Sequence, residues 1–202
     1  MKLRLILKIY DNIMKIRVKE NVKIMIKLFL RGVLMKKEEK TTNEKKVVQR
    51  LIDTHMTIST MESCTSGMIA SMITDTEGAS AIFPGGYVTY QNQTKVLSGV
   101  DEMVIDQYGV YSIECAVAMA RAVQEKLHTD IAVGITGTTG NVDPNNADSI
   151  RGEVYFCILV NGNVNKYEFH ADVAAMDRHE IKKLYADRVF GELIKLIPEC
   201  NG

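Results

Sequence analysis

"TISTMESCTSGMIASMITD", residues 57–75, changes character halfway: a β-branched run gives way at Ser63-Cys64-Thr65-Ser66-Gly67 to a helical stretch. A strand that turns directly into a helix is the elementary unit of an α/β sheet, and ligands gather at the carboxyl ends of such strands. There the next helix offers unpaired N–H groups and the positive end of its dipole. A hydroxyl at that place can attack a carbonyl while neighbouring amides stabilise the oxyanion, each donor contributing about 3 kcal/mol. The same hydroxyl can simply cap the helix, and on local sequence alone the cap is the better reading of Ser63 or Thr65.

Periodicity supplies the elements on either side. "NEKKVVQRLIDTH" places Val47, Val48, Leu51 and Ile52 at helical spacing ahead of a strand at Thr57–Met61. After the junction a helix spans about 67–73. "AIFPGGYVTYQN" then alternates as a strand broken by Pro84-Gly85-Gly86, which marks an edge or a bend. "YSIECAVAMARAVQEKLHTD" is an amphipathic helix capped by Ser112, with Ile113, Ala116, Val117, Ala120, Val123 and Leu127 in one stripe. It runs into "DIAVGITGT", an apolar run typical of a strand covered on both faces. "GEVYFCILV" and "NKYEFHA" form a hairpin through Asn161-Gly162-Asn163. A long terminal helix turns Ile181, Tyr185, Val189, Leu193 and Leu196 inward. The sum is an α/β protein, a single-domain three-layer α/β/α sandwich over about residues 43–198.

Composition narrows the class. With 46% hydrophobic and 25% charged residues, a chain of 202 residues has the make-up of a globular protein with one main core. The four cysteines contain no C-x-x-C pair, which argues against a structural zinc site and a disulfide framework and for a reducing, cytoplasmic compartment. Residues 1–50 carry 15 Lys/Arg against 5 Asp/Glu, and the remainder 10 against 20, so the zero net charge hides an acidic body ill suited to nucleic acid.

The opening "MKLRLILKIYDNIMKIRVKENVKIMIKLFLRGVL" lacks a small-residue cleavage site and an apolar run of the roughly 18 residues that span a bilayer. No membrane partner is expected, although a basic amphipathic helix on an anionic surface is the second reading of this stretch. The first is that residues 1–34 are a basic extension, disordered or ahead of a natural start at Met35, since "RGVLM" can be encoded with a ribosome-binding sequence.

A serine nucleophile needs a base, and His55, His128, His170 and His179 stand in no triad spacing. A lysine partly desolvated in a pocket is the alternative. At this point "MESCTSG", "TDTEGASAIFPGGYVTYQNQTKVLSGV", "YSIECAVAMARAV" and "AVGITGTTG", in that order, resemble the C-terminal domain of CinA, the nicotinamide-nucleotide amidohydrolase (NMN deamidase, PncC) family. The resemblance covers about residues 43–197. It implies hydrolysis of the carboxamide of nicotinamide mononucleotide to nicotinate mononucleotide and ammonia, a step of pyridine nucleotide salvage, without metal or other cofactor. It further implies that Ser63 is the nucleophile and Lys95 the base, with Tyr90 in the proton relay or orienting the lysine. Amides around Thr65 and Ser66 would face the oxyanion. Thr136, Gly137 and Thr138 would line the substrate pocket, and Arg178 would meet the phosphate.

Without the resemblance, Lys95 reads as a surface charge, Tyr90 as sheet-edge packing and Arg178 as a first-turn charge. Cys64, beside the nucleophile but with no histidine to activate it, reads as packing. "GITGTTG" is not a phosphate loop, because no Gly-Lys-Ser/Thr follows.

The chain departs from the family pattern at three places. Ser66 replaces the first of two glycines. "TGTTGNVDPNNADSIRGEV" replaces T-G-x-A-G-P-D-G-G and K-P-V-G-T-V, and Tyr111 stands where a small apolar residue is common. The Ser/Tyr/Lys set is intact while the pocket wall is altered. A non-catalytic relative that binds a nucleotide or protein, and an amidase for another small amide, are therefore the rival readings. A homo-oligomer would be unsurprising in a protein of this kind. Intact-mass analysis of the protein made from its own gene is expected to show a chain beginning at Met35, and a species beginning at Met1 would sink that reading.

Overall fold

The computed structural model describes residues 41–140, 146 and 149–199, together with Met14, Lys15, Lys19, Val22, Lys23 and Met25. The chain divides into two compact units, Met1–Thr41 and Thr42–Gly202. In the first, the six described residues ahead of Thr41 are helical and exposed. The other expectations for residues 1–34 lie outside the described residues.

The second unit runs α1 (Asn43–Thr54), β1 (Ile58–Glu62), α2 (Met68–Thr74), a 3₁₀ turn (Ala79–Ala81), β2 (Gly85–Val88), α3 (Asn92–Leu97), α4 (Glu102–Tyr108), α5 (Ile113–Leu127), β3 (Ile131–Gly137), β4 (Glu153–Val160), β5 (Asn163–His170) and α6 (Arg178–Leu196). The five strands form one sheet in the order β2-β1-β3-β4-β5. β2, β1 and β3 are parallel, and β4 and β5 add antiparallel strands at the far edge.

Strand alternation sorts the side chains into two layers. Ile131, Val133 and Ile135 of β3, with Val154, Phe156 and Ile158 of β4, meet the buried faces of α1, α2 and α6. Ala132, Cys157 and Leu159 point the other way, onto α5. β1 and β3 are buried along their whole length because helices cover both faces, as the near-continuous apolar run of β3 implies. This is the three-layer α/β/α arrangement. Asn161 (φ 51°) and Gly162 (φ 77°) make the tight β4–β5 turn that Asn-Gly favours. Ser112 caps α5 by accepting from the Cys115 N–H at 3.1 Å.

α5 sits unusually close to the sheet. A Cβ on Gly134 would lie 2.2 Å from the Ala116 carbonyl oxygen and 2.5 Å from the Ala120 nitrogen, so glycine on the strand and alanines on the helix let the two backbones meet.

The structure differs from the periodic reading between residues 84 and 110. The strand there is only Gly85–Val88, an edge strand entered from Pro84. Two further helices follow, α3 of six residues and α4 of seven. Neither is long enough to repeat an apolar stripe, which is why no helical period marks them. Lys95 therefore stands on a helix and is buried, not a surface charge.

Among the described residues no helix is long and apolar enough to cross a membrane.

Candidate active site

The turn from β1 into α2 is organised by a residue that the motif reading passes over. Glu62, the last residue of β1, is fully buried, and its carboxylate accepts from the Ile69 N–H at 3.1 Å and the Ala70 N–H at 2.9 Å. The Thr60 hydroxyl donates to the same carboxylate at 3.3 Å. A carboxylate at a helix N-terminus meets both unpaired amides and the positive end of the dipole. Glu62 thus does from outside the helix what an N-cap side chain does. The residue at the N-cap position of α2 is Gly67, and no side chain caps there. Neither Ser63 nor Thr65 caps this helix, contrary to the local reading, because Glu62 has already satisfied its amides.

The freed Ser63 hydroxyl meets a lysine. Lys95 Nζ lies 3.1 Å from Ser63 Oγ and donates to the Thr89 carbonyl at 2.9 Å. Lys95 is 1% exposed and Ser63 7% exposed. A lysine so completely buried is rare, and a lysine beside a serine is an arrangement that can serve as base and nucleophile. All four histidines are exposed, so no imidazole competes for the role of base.

The alternation of β2 explains the fate of Tyr90. Tyr87 packs with Met61 in the α5 layer, and Glu62 pairs with Val88, so the next residues Thr89 and Ser63 return to the α5 side. The Thr89 N–H donates to the Glu62 carbonyl at 2.8 Å, which carries the pairing one residue past the strand. Tyr90, one step further, points to the opposite face. Its hydroxyl accepts from Arg178 at 2.8 Å, and it is 57% exposed. It makes no hydrogen bond to Lys95. The lysine is oriented by the backbone of Thr89, and the side chain of Tyr90 belongs with Arg178 at the first turn of α6.

The other residues implied by the resemblance divide in the same way. The Ser66 N–H donates to the Ser63 carbonyl at 3.1 Å, so this amide is committed within the turn. The Thr65 N–H makes no bond to a backbone carbonyl, and Thr65 Oγ1 is buried without a partner among the described residues. Leaving a hydroxyl so placed costs about 1–3 kcal/mol. Ser66 adopts φ 53°, a left-handed conformation that glycine takes without strain, which accounts for the glycine usual at this position.

Thr136, Gly137 and Thr138 act as scaffold. Thr136 donates its hydroxyl to the Val110 carbonyl at 2.8 Å, and Thr138 donates its own to the Ile150 carbonyl. The Thr138 carbonyl accepts from the Tyr185 hydroxyl at 2.8 Å. At Gly137 a Cβ would lie 2.4 Å from the Glu153 carbonyl oxygen, so the strand pair closes over it. The hydroxyl protons of Thr136 and Thr138 are thus both donated within the fold.

Cys64 packs in the apolar layer of α1, α2 and α6. Burial, reinforced by the Glu62 carboxylate, pushes its thiol up to about 12, so it stays protonated and inert at neutral pH. No three His, Cys, Asp or Glu side chains gather as a metal site among the described residues. A groove of about 690 Å³ bounded by Asp101, Tyr108, Arg121 and Val164 lies on the outer side of α4 and α5 and contains none of these residues.

The buried serine–lysine pair lies at the carboxyl end of a parallel strand of a three-layer α/β protein. Residues 40–197 match the family model described as the CinA C-terminal domain, and the chain belongs to that family. The "Protein MG115 homolog" of Mycoplasma pneumoniae is 31% identical over 157 residues, which is 77% of this chain and 97% of that protein. A CinA-like protein of Geotalea daltonii is 39% identical over 122 residues, 59% of this chain but only 29% of its own length. The chain therefore spans less than a third of that relative. A crystal structure of a competence-damaged protein (CinA) superfamily protein from Escherichia coli superposes with a TM-score of 0.69 at 26% identity, covering 78% of this chain and 92% of that one.

Replacing Glu62 by alanine removes the acceptor of two helix amides. The Glu62→Ala variant is expected to lose about 3 kcal/mol of stability in urea titration. An unchanged midpoint would contradict the role assigned to the carboxylate.

Proposed function

We propose that this protein hydrolyses a carboxamide by a Ser63/Lys95 mechanism, and that its substrate is nicotinamide mononucleotide. One observation carries the reading: the 3.1 Å approach of Lys95 Nζ to Ser63 Oγ inside a buried site with no histidine. Membership of the CinA family and the sequence resemblance to its deamidases supply the substrate.

The chemistry follows from the positions. The neutral Lys95 amine, held by the Thr89 carbonyl, takes the Ser63 proton as Oγ bonds to the amide carbon. Burial serves this step, because desolvation disfavours the charged form of an amine. The oxyanion forms beside the turn, where the buried Thr65 hydroxyl has no partner among the described residues. Lys95 then returns its proton to the leaving nitrogen, the C–N bond breaks and ammonia departs, leaving the acyl group on Ser63. Arg178, tethered to Tyr90 at the N-terminus of α6, is the cation for the substrate phosphate, and a guanidinium suits it by its paired N–H donors. Tyr90 in this reading orients Arg178 and takes no part in the proton relay.

The test is ammonia release from nicotinamide mononucleotide by the full chain. Turnover is expected in the wild type and a fall of about 10³-fold or more in Ser63→Ala and in Lys95→Met. Arg178→Ala should raise KM with less effect on kcat. A well-folded wild type that releases no ammonia would overturn the substrate assignment.

A further inference from the structure

Three buried side-chain oxygens make no hydrogen bond among the described residues: Thr65 Oγ1, Thr76 Oγ1 and Thr89 Oγ1. Thr76 lies beyond α2, away from the pair. Thr65 belongs to the nucleophile turn. Thr89 has no part in the reaction as described so far except through its backbone.

Its other polar groups are all engaged. The N–H donates to Glu62 and the carbonyl accepts from Lys95. The residue is 1% exposed. Glu62 pairs with both Val88 and Ile135, so the next residues, Thr89, Ser63 and Thr136, form a row of hydroxyls across β2, β1 and β3 on the α5 side. Thr136 donates to Val110, and Ser63 faces Lys95. Of this row, among the described residues, the Thr89 hydroxyl has nothing to bond. Valine would fill the same volume without burying an unsatisfied group, so a hydroxyl here points to a bound polar molecule.

We propose that Thr89 Oγ1 holds the water that hydrolyses the acyl-enzyme. The inference rests on the deamidase reading and adds a catalytic residue to it. The backbone of Thr89 fixes the base and its side chain fixes the water, so a single residue sets the distance between them. In the step, the water oxygen bonds to the acyl carbon as its proton passes to Lys95 Nζ. The tetrahedral adduct then collapses, the bond from carbon to Ser63 Oγ breaks, and Lys95 returns the proton to Oγ. Water and ester become acid and free serine, and no other reactant is needed.

Rapid-quench kinetics on the full chain with nicotinamide mononucleotide tests this, with ammonia quantified and Ser63 peptides weighed. Thr89→Val should release a burst of up to one ammonia per chain and then turn over about 100-fold more slowly than the wild type. An acyl adduct should accumulate on Ser63. Thr89→Ser, which keeps the hydroxyl, should stay within a few-fold of wild type and show no adduct. A Thr89→Val enzyme that turns over at the wild-type rate would overturn the inference. So would one slowed without burst or adduct, because a purely structural role predicts that result. Ammonia release by the wild type with no effect at Thr89 removes the water-binding role alone. No release by a folded wild type removes the deamidase reading and the water with it.

Discussion

The buried carboxylate of Glu62 is the contact on which the rest of the site depends. A helix that begins inside a protein must find acceptors for its first amides, and small hydroxyl residues beside it are the usual supply. Here the preceding strand supplies the acceptor, at 3.1 and 2.9 Å from two amides of α2. Ser63 and Thr65 are thereby left with hydroxyls that the fold does not use. The interaction is charge-assisted and fully desolvated, which makes it strong and holds the turn in one geometry. A nucleophile needs both conditions: freedom from structural hydrogen bonds and a fixed position.

A second constraint is the two-residue period of β2. It sends Thr89 to the α5 side, where Ser63 and Lys95 meet, and Tyr90 to the α6 side, where Arg178 waits. One edge strand thus orders both the Ser63–Lys95 pair and the Tyr90–Arg178 pair. The two faces of the sheet carry separate apolar layers.

Much of this was legible in the sequence. The apolar period of α5, the continuous run of β3 and the Asn-Gly turn each dictate their element through local physics. Ser63 was legible as a candidate because a strand-to-helix junction dense in hydroxyls is chemically conspicuous. Its pairing with Lys95 was not, since nothing in the 31 residues between them encodes the approach, and only the resemblance joined them. The short helices α3 and α4 escaped because six or seven residues cannot repeat a stripe. Glu62 and Thr89 escaped for a different reason. A glutamate at a strand end reads as solvated, and only burial against α2 makes it a cap. For Thr89 a signal did exist: alternation from Tyr87 places it, and not Tyr90, on the side of Ser63. The scaffold roles of Thr136 and Thr138 depend on carbonyls of Val110 and Ile150, which no spacing rule brings to them.

The central claim is that Lys95 activates Ser63 and that the adjacent thiol of Cys64 is inert. Labelling of the native chain with a fluorophosphonate, with the adduct located by peptide mass, addresses it without reference to any substrate. The account predicts an adduct on Ser63 in the wild type and labelling at least about tenfold slower in Lys95→Met, in line with the loss of a general base. An adduct on Cys64, no adduct on Ser63, or Ser63 labelling that is indifferent to Lys95 would contradict it.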